Sequence, residues 1–108
     1  MIKERIREKL KEAISNAKRE GAIPDVPIPD VSIEKPKPEF GDYASTVALR
    51  LSRSLKISPM TIAEKIVNFF PPMEEIERIN ISPPGFINFT LSPDWLRKTV
   101  DTILEEGE

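Results

Sequence analysis

The first twenty positions carry a helical rhythm. Ile2, Ile6, Leu10, Ala13, Ile14 and Ala17 recur at intervals of three and four, with Lys, Arg and Glu filling the gaps. That spacing places the six on one stripe of an α-helix. Gly21 comes next as a C-terminal stop. The basic residues outnumber the acidic ones along this helix. They read first as a solvated face and only secondarily as a phosphate-facing stripe. Beyond Gly21 the pattern changes. Pro24, Pro27 and Pro29 forbid a helix and a central strand. Val31 and Ile33 alternate with Ser32 and Glu34, which predicts a short strand over residues 30–35. Lys35-Pro36-Lys37-Pro38 then reads as an extended loop. It is not a linker between domains, because a helix with one apolar face must pack against the later segments of the chain.

Phe40-Gly41-Asp42-Tyr43 is expected to open a second helix, with Asp42 as the N-cap. Its stripe is Ala44, Val47, Ala48, Leu51 and Leu55. Ser58-Pro59 starts a third helix, serine as cap and proline in the first turn, where a missing N–H costs nothing. Ile62, Ala63, Ile66, Val67 and Phe70 form its inner face, and Pro71-Pro72 ends it. Residues 75–82 read as a strand with Ile79 and Ile81 on one face. Pro83-Pro84-Gly85 reads as a turn, with Pro84 and Gly85 in the two central positions of type II. Residues 86–91 form the returning strand. Ser92-Pro93 starts a last helix with Leu96, Val100, Ile103 and Leu104 on its stripe. The predicted fold is a single α+β domain over residues 1–108: a small, mostly antiparallel sheet of three to four strands packed with about four helices.

Composition narrows the chemistry. The chain has 108 residues, 39% hydrophobic and 31% charged, enough for one modest core. It has no cysteine and no histidine. Disulfides, thiolate metal sites, the usual general base and the usual metal ligand are therefore excluded, and no catalytic or metal-binding residue is assigned. Glu64, Glu74, Glu75 and Glu77 sit in no recognisable catalytic pairing and read as solvated surface residues. No stretch approaches the ~20 apolar residues of a membrane span. The charged start, Met1-Ile2-Lys3-Glu4-Arg5, lacks a signal-peptide core. A cytoplasmic setting without membrane contact is the expectation. The net charge of −2 means that any nucleic-acid role must be a local contact supported by a larger surface alongside.

One element breaks the bland pattern. In the strand Phe86-Ile87-Asn88-Phe89-Thr90-Leu91, side chains alternate between faces. Ile87, Phe89 and Leu91 share the core face. Phe86, Asn88 and Thr90 share the other, which is expected to be exposed or half covered. An aromatic ring stacks on an unpaired base, and an amide two residues away offers one donor and one acceptor to its edge. The simpler reading has Phe86 covering the turn and Asn88 satisfying a local hydrogen bond.

These blocks together resemble a known family. Phe40-Gly41-Asp42-Tyr43-Ala44-Ser45, Ile62-Ala63-Glu64-Lys65-Ile66, Pro84-Gly85-Phe86-Ile87-Asn88-Phe89 and Trp95-Leu96, in this order, resemble the N-terminal additional domain of arginyl-tRNA synthetases. The likeness runs from the first helix to the last. It implies a domain that precedes a class I catalytic domain, which joins arginine to its tRNA with ATP and magnesium. It also implies a contact to an unpaired base in the D-loop, at the outer corner of the arginine tRNA. The matching tRNA-binding residues here are Phe86, Asn88 and Thr90. The synthetase signatures His-Ile-Gly-His and Lys-Met-Ser-Lys are absent. This chain is therefore expected to catalyse nothing alone and to be the front piece of a longer protein. The family's turn often reads Gly-Pro-Gly, whereas here Pro83 removes a backbone N–H. The competing reading is a protein–protein docking domain using the same strand face, with Phe86 as an apolar anchor.

Overall fold

The computed structural model of the chain describes residues 2–95. Helix α1 spans Ile2–Arg19 and buries all six residues of the predicted stripe. Gly21, at φ 79°, ends it. The Ala22 N–H bonds the Ala17 carbonyl at 2.8 Å and the Gly21 N–H bonds that of Lys18 at 3.1 Å, so two orphan carbonyls of the last turn are satisfied. The predicted strand at 30–35 shrinks to a single bridge, Glu34 paired antiparallel with Ala44. Val31 and Ile33 are nonetheless buried, as their alternation required. A 3-10 turn comes next at Pro38–Phe40.

The second helix begins later than its sequence suggests. Tyr43–Ser45 is a strand, β1, and helix α2 runs only over Val47–Leu55. Asp42 is no helix cap. Its carboxylate Oδ2 accepts the Leu91 N–H at 2.8 Å, and its own N–H donates to the Phe89 carbonyl at 2.8 Å. A partner 49 positions along the chain holds the backbone here extended, which no local propensity reveals. Helix α3 spans Pro59–Asn68, with Pro59 in the first turn as expected. Ser58 occupies the cap position, but only its carbonyl is used, by the Ile62 N–H at 3.0 Å.

Strands β2, Ile76–Ser82, and β3, Phe86–Leu91, complete a three-stranded antiparallel sheet in the order β1-β3-β2. The turn joining them differs from the expected type II. Its hydrogen bond runs from the Gly85 N–H to the Ser82 carbonyl at 2.9 Å, which places Pro83 and Pro84 at its centre, joined by a cis peptide. That is a type VI turn. At the far end Ser92 caps the start of the last predicted helix, its Oγ accepting the Trp95 N–H at 3.4 Å. The stripe Leu96, Val100, Ile103 and Leu104 lies outside the described residues.

The helices cover one face of the sheet. Ile6, Leu10 and Ile14 of α1, Leu51 of α2, Ile62 and Ile66 of α3, and Ile87 and Phe89 of β3 are buried together. Each fully buried side chain of this size contributes about 1.5–3 kcal/mol relative to exposure. Phe70, just past α3, meets the Phe89 ring at 5.4 Å between centroids, tilted by 44°. This is a favourable aromatic geometry. Among the described residues no helix is long and apolar enough to cross a membrane.

Candidate nucleic-acid interface

β3 is the central strand, so its backbone groups are largely engaged on both sides. Only side chains can read a ligand from it. On the face away from the helices it carries Phe86, Asn88 and Thr90. The register places Ser82 opposite Phe86, Asn80 and Ala44 on either side of Asn88, and Arg78 opposite Thr90.

This face is partly covered. The segment over residues 34–40 crosses it, anchored by the paired Glu34–Ala44 hydrogen bonds of 2.8 Å each. Asn88 is consequently buried, with 3% exposure, while Phe86 and Thr90 are half-buried. Phe86 and Thr90 thus match the expected exposed or half-covered face, and Asn88 alone departs from it. Its amide is held, with Nδ2 donating to Ser82 Oγ at 2.9 Å.

Between the sheet and the crossing segment lies a pocket of about 250 Å³. Ala44 and Asn88 lie at its strand side, with Ser82, Pro83 and Phe86 toward the hairpin tip. Glu34, Pro36, Lys37 and Phe40 supply the opposite wall. The small Ala44 side chain leaves room beside Asn88. The volume falls just under the roughly 300 Å³ at which drug-sized ligand sites begin. Of the three residues proposed from sequence, the structure brings Phe86 and Asn88 to this pocket. Thr90 does not line it and sits instead near Gly41. Gly41, at φ 130°, has no space for a side chain, since a Cβ would stand 2.9 Å from the Phe89 carbonyl oxygen.

The sequence reading missed Phe40, Lys37 and Ser82. Phe40 was hidden by the assignment of its segment to a helix start. Ser82 comes from the register once the turn closes on it, a signal present in the sequence but dependent on the correct turn type.

Charge is distributed to match a local contact. In α1, Arg5, Arg7, Lys9, Lys11 and Lys18 each pair with a carboxylate, as expected of a solvated helix face. Residues 35–65 carry six cations against three carboxylates. None of Lys35, Lys37, Arg50, Arg53, Lys56 and Lys65 forms an ion pair among the described residues. Their charge is available to a polyanion despite the overall net of −2.

The fold is thus an α+β one that carries an aromatic-and-amide pocket on the outer face of its sheet. Residues 2–91 match the family model of the arginyl tRNA synthetase N terminal domain, and the chain belongs to that family. It is 42% identical over 107 residues to an arginine–tRNA ligase of Dehalococcoides mccartyi, covering 98% of this chain and 19% of that protein. It is 41% identical over 108 residues to the arginine–tRNA ligase of Thermotoga maritima, covering all of this chain and again 19% of the relative. The chain thus spans about a fifth of the length of these relatives. Among solved structures, the arginyl-tRNA synthetase of Thermus thermophilus superposes with a TM-score of 0.64 at 28% identity, over 88% of this chain and 16% of that one. That of Plasmodium falciparum shares the fold, with a TM-score of 0.79 at 20% identity, over 94% of this chain and 18% of that one.

Proposed function

We propose that this domain reads the arginine tRNA in cis with a class I catalytic body, which performs the ATP- and magnesium-dependent arginylation. The observation that carries the reading is the pocket itself, where one aromatic ring and one held amide meet on the outer face of the central strand. Phe86 supplies a stacking face for an unpaired base of the D-loop, and Asn88 addresses its edge. Thr90 lies further along the same strand face, where it would border the flanking nucleotide. The net charge supports division of labour, since the domain contributes a local contact while the body supplies most of the phosphate neutralisation. The ATP- and magnesium-dependent chemistry is assigned to that body by the likeness to whole arginine–tRNA ligases, of which this chain matches about a fifth.

The test is steady-state arginylation by a full-length arginyl-tRNA synthetase carrying this domain. Phe86→Ala and Asn88→Ala are expected to raise the KM for tRNA, at a cost of roughly 1–3 kcal/mol for the lost stack, and to leave the KM for arginine unchanged. An unchanged tRNA dependence in both variants removes the pocket from tRNA binding. Salt separates this from protein docking on the same face. An RNA contact weakens steeply as salt rises, whereas an apolar protein contact is nearly indifferent.

A further inference from the structure

Phe40 is the exposed large hydrophobic side chain of the described residues, at 44%. Its backbone is nevertheless firmly seated. The Phe40 N–H bonds the Lys37 carbonyl at 2.9 Å and the Gly41 N–H bonds that of Pro38 at 3.2 Å. The next residues are locked onto β3 through Asp42, which exchanges hydrogen bonds with Phe89 and Leu91. Pro36 and Pro38 fix two further φ angles in the same segment. An aromatic ring held in water on a rigid mount is preorganised for a partner, because little freedom is lost when one arrives.

That ring borders the same 250 Å³ pocket as Phe86. Lys37 borders it too, exposed and without a carboxylate partner among the described residues. So does Glu34. Glu34 and Lys37 offset each other's charge on the wall, and the two aromatic rings favour a flat, uncharged occupant. A phosphate attached to that occupant would meet Lys37 at the rim.

Resting on the RNA-reading role proposed above, we infer that Phe40 is a second stacking face for the unpaired base, and that Lys37 holds a phosphate beside it. The base then lies between elements far apart in sequence, the 3-10 turn and the central strand. Its identity is read by Asn88, while the two rings bind any base.

The experiment uses full-length arginyl-tRNA synthetase carrying this domain, with arginine tRNA and with the same tRNA bearing 2-aminopurine at the unpaired D-loop position. Phe40→Ala is expected to raise the KM for tRNA about fivefold or more, the lower bound for one lost base stack. It should also relieve part of the 2-aminopurine quenching, and leave the KM for arginine and the melting temperature unchanged. Phe40→Tyr should restore both tRNA readouts. Lys37→Gln should reduce the salt slope of tRNA binding by about one unit. If Phe86→Ala raises the KM and Phe40→Ala behaves as the parent, the second face is overturned while the strand reading stands. If neither variant changes KM or quenching, both fail.

Discussion

The side-chain amide of Asn88 donates to Ser82 Oγ across 2.9 Å, tying together two residues of the outer sheet face that are six positions apart. Asn88 is almost wholly buried, so this bond decides how its amide is presented. One Nδ2 hydrogen is used, and Oδ1 takes no hydrogen bond among the described residues, which leaves an acceptor for a base edge. Ser82→Ala is expected to lower stability by about 1 kcal/mol, the ordinary value of such a bond. It should also blunt discrimination between the parent tRNA and one altered in the D-loop. Ser82→Thr keeps the hydroxyl and should preserve the discrimination. Urea unfolding and arginylation of the two tRNAs check the pair. An unchanged discrimination ratio in Ser82→Ala would show that Asn88 is oriented without it.

The hairpin tip is positioned by a contact equally specific. Gly85 lies against Pro59, the first residue of α3, so closely that a Cβ would stand 2.6 Å from the Pro59 Cβ. The proline ring cannot move aside as a flexible side chain would. Gly85→Ala must therefore shift the tip or the helix start, at a cost of about 1–3 kcal/mol. For a domain of this size that lowers the melting temperature by roughly 4–8 °C per kcal/mol. Thermal unfolding of Gly85→Ala beside Pro84→Ala would localise the effect. A parent-like melt for Gly85→Ala would mean that the tip packs more loosely than this contact requires.

Where the fold was legible in sequence, the deciding interactions were local. The α1 stripe, its glycine stop, the Pro59 helix start and the limits of β3 all come from spacing and turn chemistry within a few residues. Tyr43–Ser45 failed because its extended state is imposed from elsewhere, by Phe89 and Leu91 on one side and Glu34 on the other. The candidate site shows the same division. Alternation placed Phe86 and Asn88 on a common face. It could not place the segment over residues 34–40 above them, so it described an exposed or half-covered face where the structure has a walled pocket.

Asp42 offers a direct test of that long-range tie. Its Oδ2 is the partner of the Leu91 N–H, in a partly buried setting. Asp42→Ala leaves the amide without an acceptor and should cost about 1–3 kcal/mol. Asp42→Asn keeps an oxygen at the same reach and should cost less. Were Asp42 a helix cap, asparagine and serine would serve equally well. The shorter serine does not reach β3, so the structure predicts that Asp42→Ser behaves like alanine. Urea unfolding of the three variants distinguishes the two roles, and a parent-like Asp42→Ser would favour the cap.

Glu75 is the one carboxylate whose surface assignment the structure overturns. It is 2% exposed and pairs with Arg5 of α1, while its Oε1 lacks a hydrogen-bond partner. The Glu75 carbonyl also accepts the Ser92 N–H at 2.7 Å, so the residue joins α1 to the far end of the sheet. A buried charge is tolerable only while its partner remains. Arg5 is 54% exposed, which screens the pair and sets the loss below the roughly 3–5 kcal/mol of a fully buried one. Arg5→Ala is therefore expected to cost about 1–3 kcal/mol. Glu75→Gln removes the charge that Arg5 balances, so adding it to Arg5→Ala should cost less than it does in the parent. A double-mutant cycle by urea unfolding measures that coupling directly. Strict additivity would mean that Glu75 is stabilised by its backbone and packing alone, with Arg5 resting beside it.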